Sequence, residues 1–200
     1  MTTTFAVTWD YRCPFARNAH DHVLTGLAGG ADWDVRFVAF SLDQTHRDEG
    51  EVPVWDEPDR HRGLLVNLAG IVVREREPDR FLVAHRALFE ARHVHARDRR
   101  EREVVAEALD EVGVDGAAVL AEVDAGWPLG VLRDEHRSMS EGLGVFGVPT
   151  FVLGDDAVFV RLMHRPDGDA AVAIDTVERV LELLGGWPDL NELKHTRIPR

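Results

Sequence analysis

The first forty residues change hydrophobic rhythm twice, and this constrains the fold more than any other feature of the chain. Phe5 to Trp9 is rich in β-branched and aromatic residues and ends in a turn signal at Asp10 to Pro14. Beyond Pro14 the apolar positions are Ala16, Ala19, Val23, Leu24 and Leu27, one face of a helix that Gly29-Gly30 should end. Val35 to Phe40 then reads as a second buried strand. Strand, helix and strand in so short a span make a βαβ unit, whose two strands should run parallel.

The segment from Asp43 to Arg62 is charged, is interrupted by Pro53 and Pro58, and reads as a long loop. Helical spacing then returns in successive stripes: Leu64 to Val72, Phe81 to Phe89, Val104 to Val112, Val119 to Val123, and a last helix opened by Trp127-Pro128. At Gly147 the pattern reverts. Val148 to Leu153, a turn at Gly154-Asp155-Asp156, and Ala157 to Met163 read as an antiparallel hairpin. Val177, Val180, Leu181 and Leu184 mark a closing helix stopped by Gly185-Gly186, and a proline-punctuated tail should wrap the surface. The expectation is an α/β fold, βαβ then ββα, with an inserted α-helical subdomain. The sheet domain takes residues 1–45 and 145–186, the helical insertion 60–144, and the tail 187–200.

Acidic residues number 36 against 23 basic ones, a formal net charge of -13. Such a surface repels phosphate backbones and anionic lipid, so neither nucleic acid nor a membrane is an expected partner. Met1 to Thr4 carries no basic segment and no apolar run before the first strand, and no stretch of the chain has eighteen uninterrupted apolar residues. A cytoplasmic, reducing location is therefore expected.

One cysteine, Cys13, stands in the whole chain, which rules out an intrachain disulfide and leaves a buried filler or a free reactive thiol. Cys13 falls at the N-cap of the first helix, with Pro14 at the first helical position. Unpaired amides and the positive end of the helix dipole should face the sulfur and lower its pKa. The consequence is large: a thiol near 8.5 is about 3% ionised at pH 7, one near 6 about 90%. Around it Trp9, Tyr11, Arg12 and Phe15 are candidates for an aromatic pocket, and Arg12 or Arg17 for support of a thiolate. His20 lies on the apolar face of the helix and reads as a packed histidine. His93-Val94-His95 would point its two rings to different faces, so no metal site is expected there. Pro149, at the head of the hairpin, needs no special role on its own, because a strand's first residue often lacks a ladder donor.

A Cys-Pro-x-x element at Cys13-Pro14-Phe15-Ala16, a helical insertion, and Gly147-Val148-Pro149-Thr150 before a hairpin, in that order, resemble the DsbA-like branch of the thioredoxin superfamily. The resemblance runs from Phe5 to Leu184. It implies a thioredoxin-like fold in which Cys13 is the nucleophile and Pro149 a cis-proline facing it. Pro14, Phe15, Tyr11 and Val148 would bind the thiol or substrate, with the Val148 backbone pairing to an extended partner. The chain departs from the family at Ala16, where a second cysteine belongs. Monothiol chemistry is then what the resemblance leaves: a thiol–disulfide oxidoreductase using Cys13 with a low-molecular-weight thiol, glutathione or mycothiol, and no tightly bound cofactor. Its partners would be small thiols or disulfide-containing substrates, and a homodimer is compatible because related folds often pair. Two alternatives stand beside it: a small-thiol-dependent transferase or isomerase similar to kappa-class glutathione transferases and hydroxychromene-carboxylate isomerases, and a non-catalytic binding module.

Overall fold

The computed structural model describes residues 1–197. In chain order it contains β1 (Thr3–Trp9), α1 (Pro14–Ala28), β2 (Trp33–Ala39), a single turn α2 (Leu42–Thr45), then α3 (His61–Arg76), α4 (Pro78–His93), α5 (Arg102–Asp110), α6 (Gly116–Asp124) and α7 (Trp127–Leu143). Strands β3 (Thr150–Leu153) and β4 (Asp156–Phe159) follow, and α8 (Ala170–Gly186) closes the fold. The four strands form one sheet in the order β2-β1-β3-β4. β1 and β2 pair in parallel along their whole length, while β3 runs antiparallel to both β1 and β4.

Each boundary has a local cause. Pro14 starts α1 with φ already suited to a helix, and Gly30, at φ +87°, turns the chain away after its end. β1 is covered on both sides in its second half, with Val7, Thr8 and Trp9 all fully buried, as a central strand requires. α8 packs along α1 and against β3 and β4, while α4 packs on another flank of α1. The first helix is thereby gripped by both halves of the molecule. α3 is buried from Leu64 to Val73 and comes close enough to β1's exit that a β-carbon on Gly70 would lie 2.5 Å from the Tyr11 hydroxyl. Glycine is needed there because the ring occupies the space of its side chain.

Three expectations need adjustment. The hairpin's first strand starts at Thr150, not Val148: the Pro149 carbonyl accepts the Val160 amide at 3.0 Å, but the residue-by-residue pairing with β1 and β4 begins only beyond it. The closing helix begins far earlier, at Ala170, where the Asp169 side chain accepts the Ala171 and Val172 amides; it also runs through Gly185-Gly186. The loop after β2 holds α2 and two 3-10 turns, Val54–Asp56 and Pro58–Arg60, pinned where the Val54 amide donates to Gln44. The tail has no regular structure as far as it is described, and Trp187 and Leu193 are 55% and 68% exposed, so its apolar side chains are not packed down. Residues 198–200 of the expected tail lie outside the described residues.

Candidate active site

Cys13 caps α1 in an extended conformation, φ -88° and ψ 121°, with its sulfur accepting the Ala16 amide at 3.4 Å. Its own amide donates to the Asp10 carbonyl at 3.0 Å, which fixes the tight turn between β1 and the helix. Across the cleft the Val148 carbonyl accepts the thiol proton, with Sγ and O 3.3 Å apart. The Val148–Pro149 peptide is cis. Thr150 anchors that segment, its amide donating to Thr8 Oγ1 at 2.9 Å and its hydroxyl to the Gly147 carbonyl at 2.8 Å. Residues 135 apart in sequence thus meet because β3 lies beside β1 and delivers its leading loop to the start of α1. Pro14 is exposed at the rim and Phe15 is half-buried.

The electrostatics run against the sequence expectation. The Cys13 thiol is raised, not lowered: burial is the largest cause, the Ala16 and Phe15 amides pull the other way, nearby Asp10 adds to the rise, and Arg161 opposes it. Only 9% of the residue is exposed, so a thiolate would lose more hydration than two amides and one cation restore. The geometry agrees, since a thiol 3.3 Å from a carbonyl oxygen can donate its proton there, whereas a thiolate would face the negative end of the carbonyl dipole. Asp10 is itself raised by burial, although the amides of Arg12 and Leu42 both donate to its carboxylate at 2.8 Å.

The cation that reaches the sulfur is Arg161, which nothing local in the sequence distinguishes. Its guanidinium sits over Phe15 at 5.5 Å and Phe159 at 5.4 Å, and Phe159 in turn packs on Phe146 at 5.2 Å. Phe15, Phe159 and Arg161 therefore join the first turn of α1 to the end of β4. Arg12 is occupied elsewhere, paired with Asp43 and donating to His46 Nδ1 at 2.7 Å.

Tyr11 is not brought to the cleft by its side chain. The ring is fully buried among Trp9, His85 and Phe89, and Trp9 is equally sealed. The Tyr11 hydroxyl donates to His85 Nδ1 at 2.6 Å, His85 Nε2 meets His20 Nδ1 at 2.9 Å, and His20 Nε2 meets the Thr8 carbonyl at 3.0 Å. The carbonyl can only accept, so His20 carries its proton on Nε2, and that fixes every tautomer along the chain. Burial lowers His20 to about 4 and His85 well below its ordinary value, so both rings are neutral at pH 7. His20 is a packed histidine, as its place on the apolar face suggests. Among the described residues no group of three or more His, Cys, Asp or Glu side chains converges on one point. His93 instead donates through Nε2 to the Tyr11 carbonyl at 2.9 Å. A surface cleft of about 450 Å³ lined by Leu27, Val35, Phe37, Phe81 and Leu82 opens at the other end of α1, a helix length away from the sulfur.

A family model described as DSBA-like thioredoxin domain matches residues 6–165. The chain belongs to that family. Solved structures share the DSBA-like fold at low identity. The cytosolic disulfide reductase DsbM from Pseudomonas aeruginosa, with GSH, superposes with a TM-score of 0.60 and 19% identity, covering 90% of this chain and 100% of that one. A 2-hydroxychromene-2-carboxylate isomerase gives a TM-score of 0.62 at 14% identity, covering 92% of this chain and 98% of that one. BdbD from Bacillus subtilis, in its oxidised form, gives 0.59 at 15% identity, covering 90% and 87%. No curated sequence matches the chain. This DSBA-like domain has one cysteine, and Ala16, buried in the first turn of α1, occupies the place of a second.

Proposed function

We propose that the protein is a monothiol thiol–disulfide oxidoreductase of the cytoplasm, with Cys13 as nucleophile and glutathione or mycothiol as co-substrate. The observation that carries this reading is the single sulfur at the N-terminus of α1 opposite the Val148–Pro149 loop, with an acceptor 3.3 Å away. Cys13 first loses its proton. Its sulfur then attacks a mixed disulfide of substrate and small thiol, the substrate sulfur leaves and takes up a proton, and Cys13 is left disulfide-bonded to the small thiol. A second small-thiol molecule attacks that bond, releases the symmetrical small-molecule disulfide and returns the proton to Cys13. Ala16 has no sulfur with which to resolve the adduct internally, so the second thiol must come from solution. The Val148 carbonyl, released when Cys13 loses its proton, pairs with the incoming molecule, while Pro14 and Phe15 line its approach.

The raised thiol favours a second reading. A Cys13 that keeps its proton is a hydrogen-bond donor, able to hold the thiolate of a bound cofactor in a transferase or isomerase reaction. Likeness to DsbM, solved with GSH, supports a small-thiol site, and likeness to the isomerase supports the second chemistry. Intact mass after incubation with glutathione disulfide or mycothiol disulfide separates them. One discrete adduct, absent from Cys13→Ser, is expected of the oxidoreductase. Turnover retained by Cys13→Ser would establish the cofactor-holding role instead. If Cys13 resists alkylation until the protein unfolds, neither holds and a binding module is left.

A further inference from the structure

Beyond Phe159 the chain leaves β4 but stays pinned along the cleft. The Val160 amide donates to the Pro149 carbonyl at 3.0 Å, and two residues on, the Leu162 carbonyl accepts the side-chain amide of Asn18 in α1 at 2.9 Å. Arg161 is thus held between the loop that faces the sulfur and the helix that begins at it. Its guanidinium lies over two rings, Phe15 at 5.5 Å and Phe159 at 5.4 Å. Phe15 is two residues beyond Cys13. Phe159 lies against Gly147, where an added β-carbon would come 3.3 Å from the ring, and the next residue is Val148, whose carbonyl is 3.3 Å from Sγ. Contacts therefore close a circuit from the sulfur through both rings and back.

Two side chains on this circuit are only half engaged. Arg161 is exposed and, among the described residues, has no carboxylate oxygen within 4 Å, whereas Arg12 pairs with Asp43, and Arg86 and Arg165 with Asp21 of α1. Phe146 packs on Phe159 at 5.2 Å yet is 66% exposed, a large apolar surface left bare beside a cation. A guanidinium lying over rings keeps in-plane N–H donors, and their fork matches a carboxylate. An open ring gains by packing against a second ring. The net charge of -13 opposes the approach of a large acidic partner, so a lone cation serves best a small anion set directly against it.

We propose that Arg161 and Phe146 select the substrate half of the disulfide, a small aromatic acid with its ring against Phe146 and its carboxylate on Arg161. The inference deepens the function proposed above and rests on it for the reaction at sulfur. There a bond forms between Cys13 and the small-thiol sulfur, the disulfide bond breaks, and the aromatic thiol leaves with the electron pair. The proton lost by Cys13 goes to solvent, and the leaving sulfur takes one up.

The Cys13→Ser protein has no thiol, so aromatic disulfides bind to it without reacting. Two are titrated calorimetrically: dithiobis(nitrobenzoate), whose rings carry carboxylates, and dithiodipyridine, whose rings are uncharged at neutral pH. Each is measured in Cys13→Ser alone and with Arg161→Gln or Phe146→Ala added; both positions are exposed, and thermal melts confirm folding. Arg161→Gln should weaken dithiobis(nitrobenzoate) by about three- to tenfold and leave dithiodipyridine within about twofold. Phe146→Ala should weaken both by about three- to tenfold. If dithiobis(nitrobenzoate) does not bind, if Arg161→Gln weakens the two probes alike, or if Phe146→Ala weakens neither, the assignment is wrong. Adduct formation with glutathione disulfide is scored separately in protein with Cys13 intact. An adduct without this binding leaves the oxidoreductase reading standing, and binding without an adduct keeps the site and removes that reading.

Discussion

Two sets of titratable groups lie within a few residues of each other around Tyr11-Arg12-Cys13, and they have opposite designs. On one side Cys13 sits at the end of a helix with a loop across from it, one hydrogen bond to break and an open-ended partner. On the other, Tyr11, His85 and His20 form a closed chain in which every donor has an acceptor, ending on the Thr8 carbonyl. Burial shifts the groups on both sides toward their neutral forms. What separates them is satisfaction. The histidine chain has no unmet hydrogen bond and no path to solvent, so it holds α1, α4 and β1 together; the sulfur keeps a face for something else.

The sharpest way to break that division is a pair of substitutions. Cys13→Ser should bring disulfide exchange down to the rate of the small thiol alone, while stability changes by less than about 1 kcal/mol, since serine can still cap α1 and donate to Val148. His85→Ala should do the reverse. It removes an aromatic-sized ring from a sealed site and strands the Tyr11 hydroxyl and His20, costing roughly 3–5 kcal/mol, with adduct formation per folded molecule retained. Denaturant unfolding beside intact-mass labelling measures both. If His85→Ala abolishes adduct formation in folded protein, the two regions are one machine and the division fails.

Acid should act on the histidine side next. His20 titrates at about 4 in the fold and near 6.5 when unfolded, so between those values the unfolded chain binds the extra proton. Stability is therefore whole above pH 6.5 and falls as pH drops toward 4, by about 3 kcal/mol from this residue alone. His136, also lowered to about 4, adds to the same slope. Unfolding free energies at pH 7.5, 5.5 and 4.5 check this, and His20→Phe should flatten the curve. A stability that is level over that range would mean the rings take up protons in the fold as readily as in the unfolded chain.

How much of this was readable beforehand follows the range of each interaction. The βαβ opening and the Cys13-Pro14 junction are local: strand rhythm, turn residues, proline and helical face are all adjacent in sequence, and they stand in the structure as read. The parallel pairing of β1 with β2 followed from the crossover alone. Tyr11 lies away from the cleft although its neighbour is the cysteine, because its position depends on a glycine in α3 and a histidine 74 residues away. The direction of the thiol shift is not legible for a similar reason. Amides at a helix start are visible in sequence, but the Val148 loop that covers the sulfur comes from 135 residues further on. α8 was read short because Ala170 to Ile174 gives too few large apolar residues to mark a face, and only the Asp169 cap announces it.

The smallest effect bears on the open side of the comparison. Arg161 is the cation opposing the rise of the Cys13 thiol, held over Phe15 and Phe159 without a carboxylate within salt-bridge distance among the described residues. Arg12 is next to the cysteine in sequence but is neutralised by Asp43. Arg161→Ala should therefore move the alkylation midpoint of Cys13 upward and slow iodoacetamide labelling at pH 7 by about two- to fivefold, the size expected of a solvent-exposed charge. Arg12→Ala should leave labelling nearly unchanged, and added salt should erase the Arg161 effect while leaving the contribution of burial in place. An Arg12→Ala shift larger than that of Arg161→Ala would mean that chain neighbours, and not the strand laid across from them, set the charge of this sulfur.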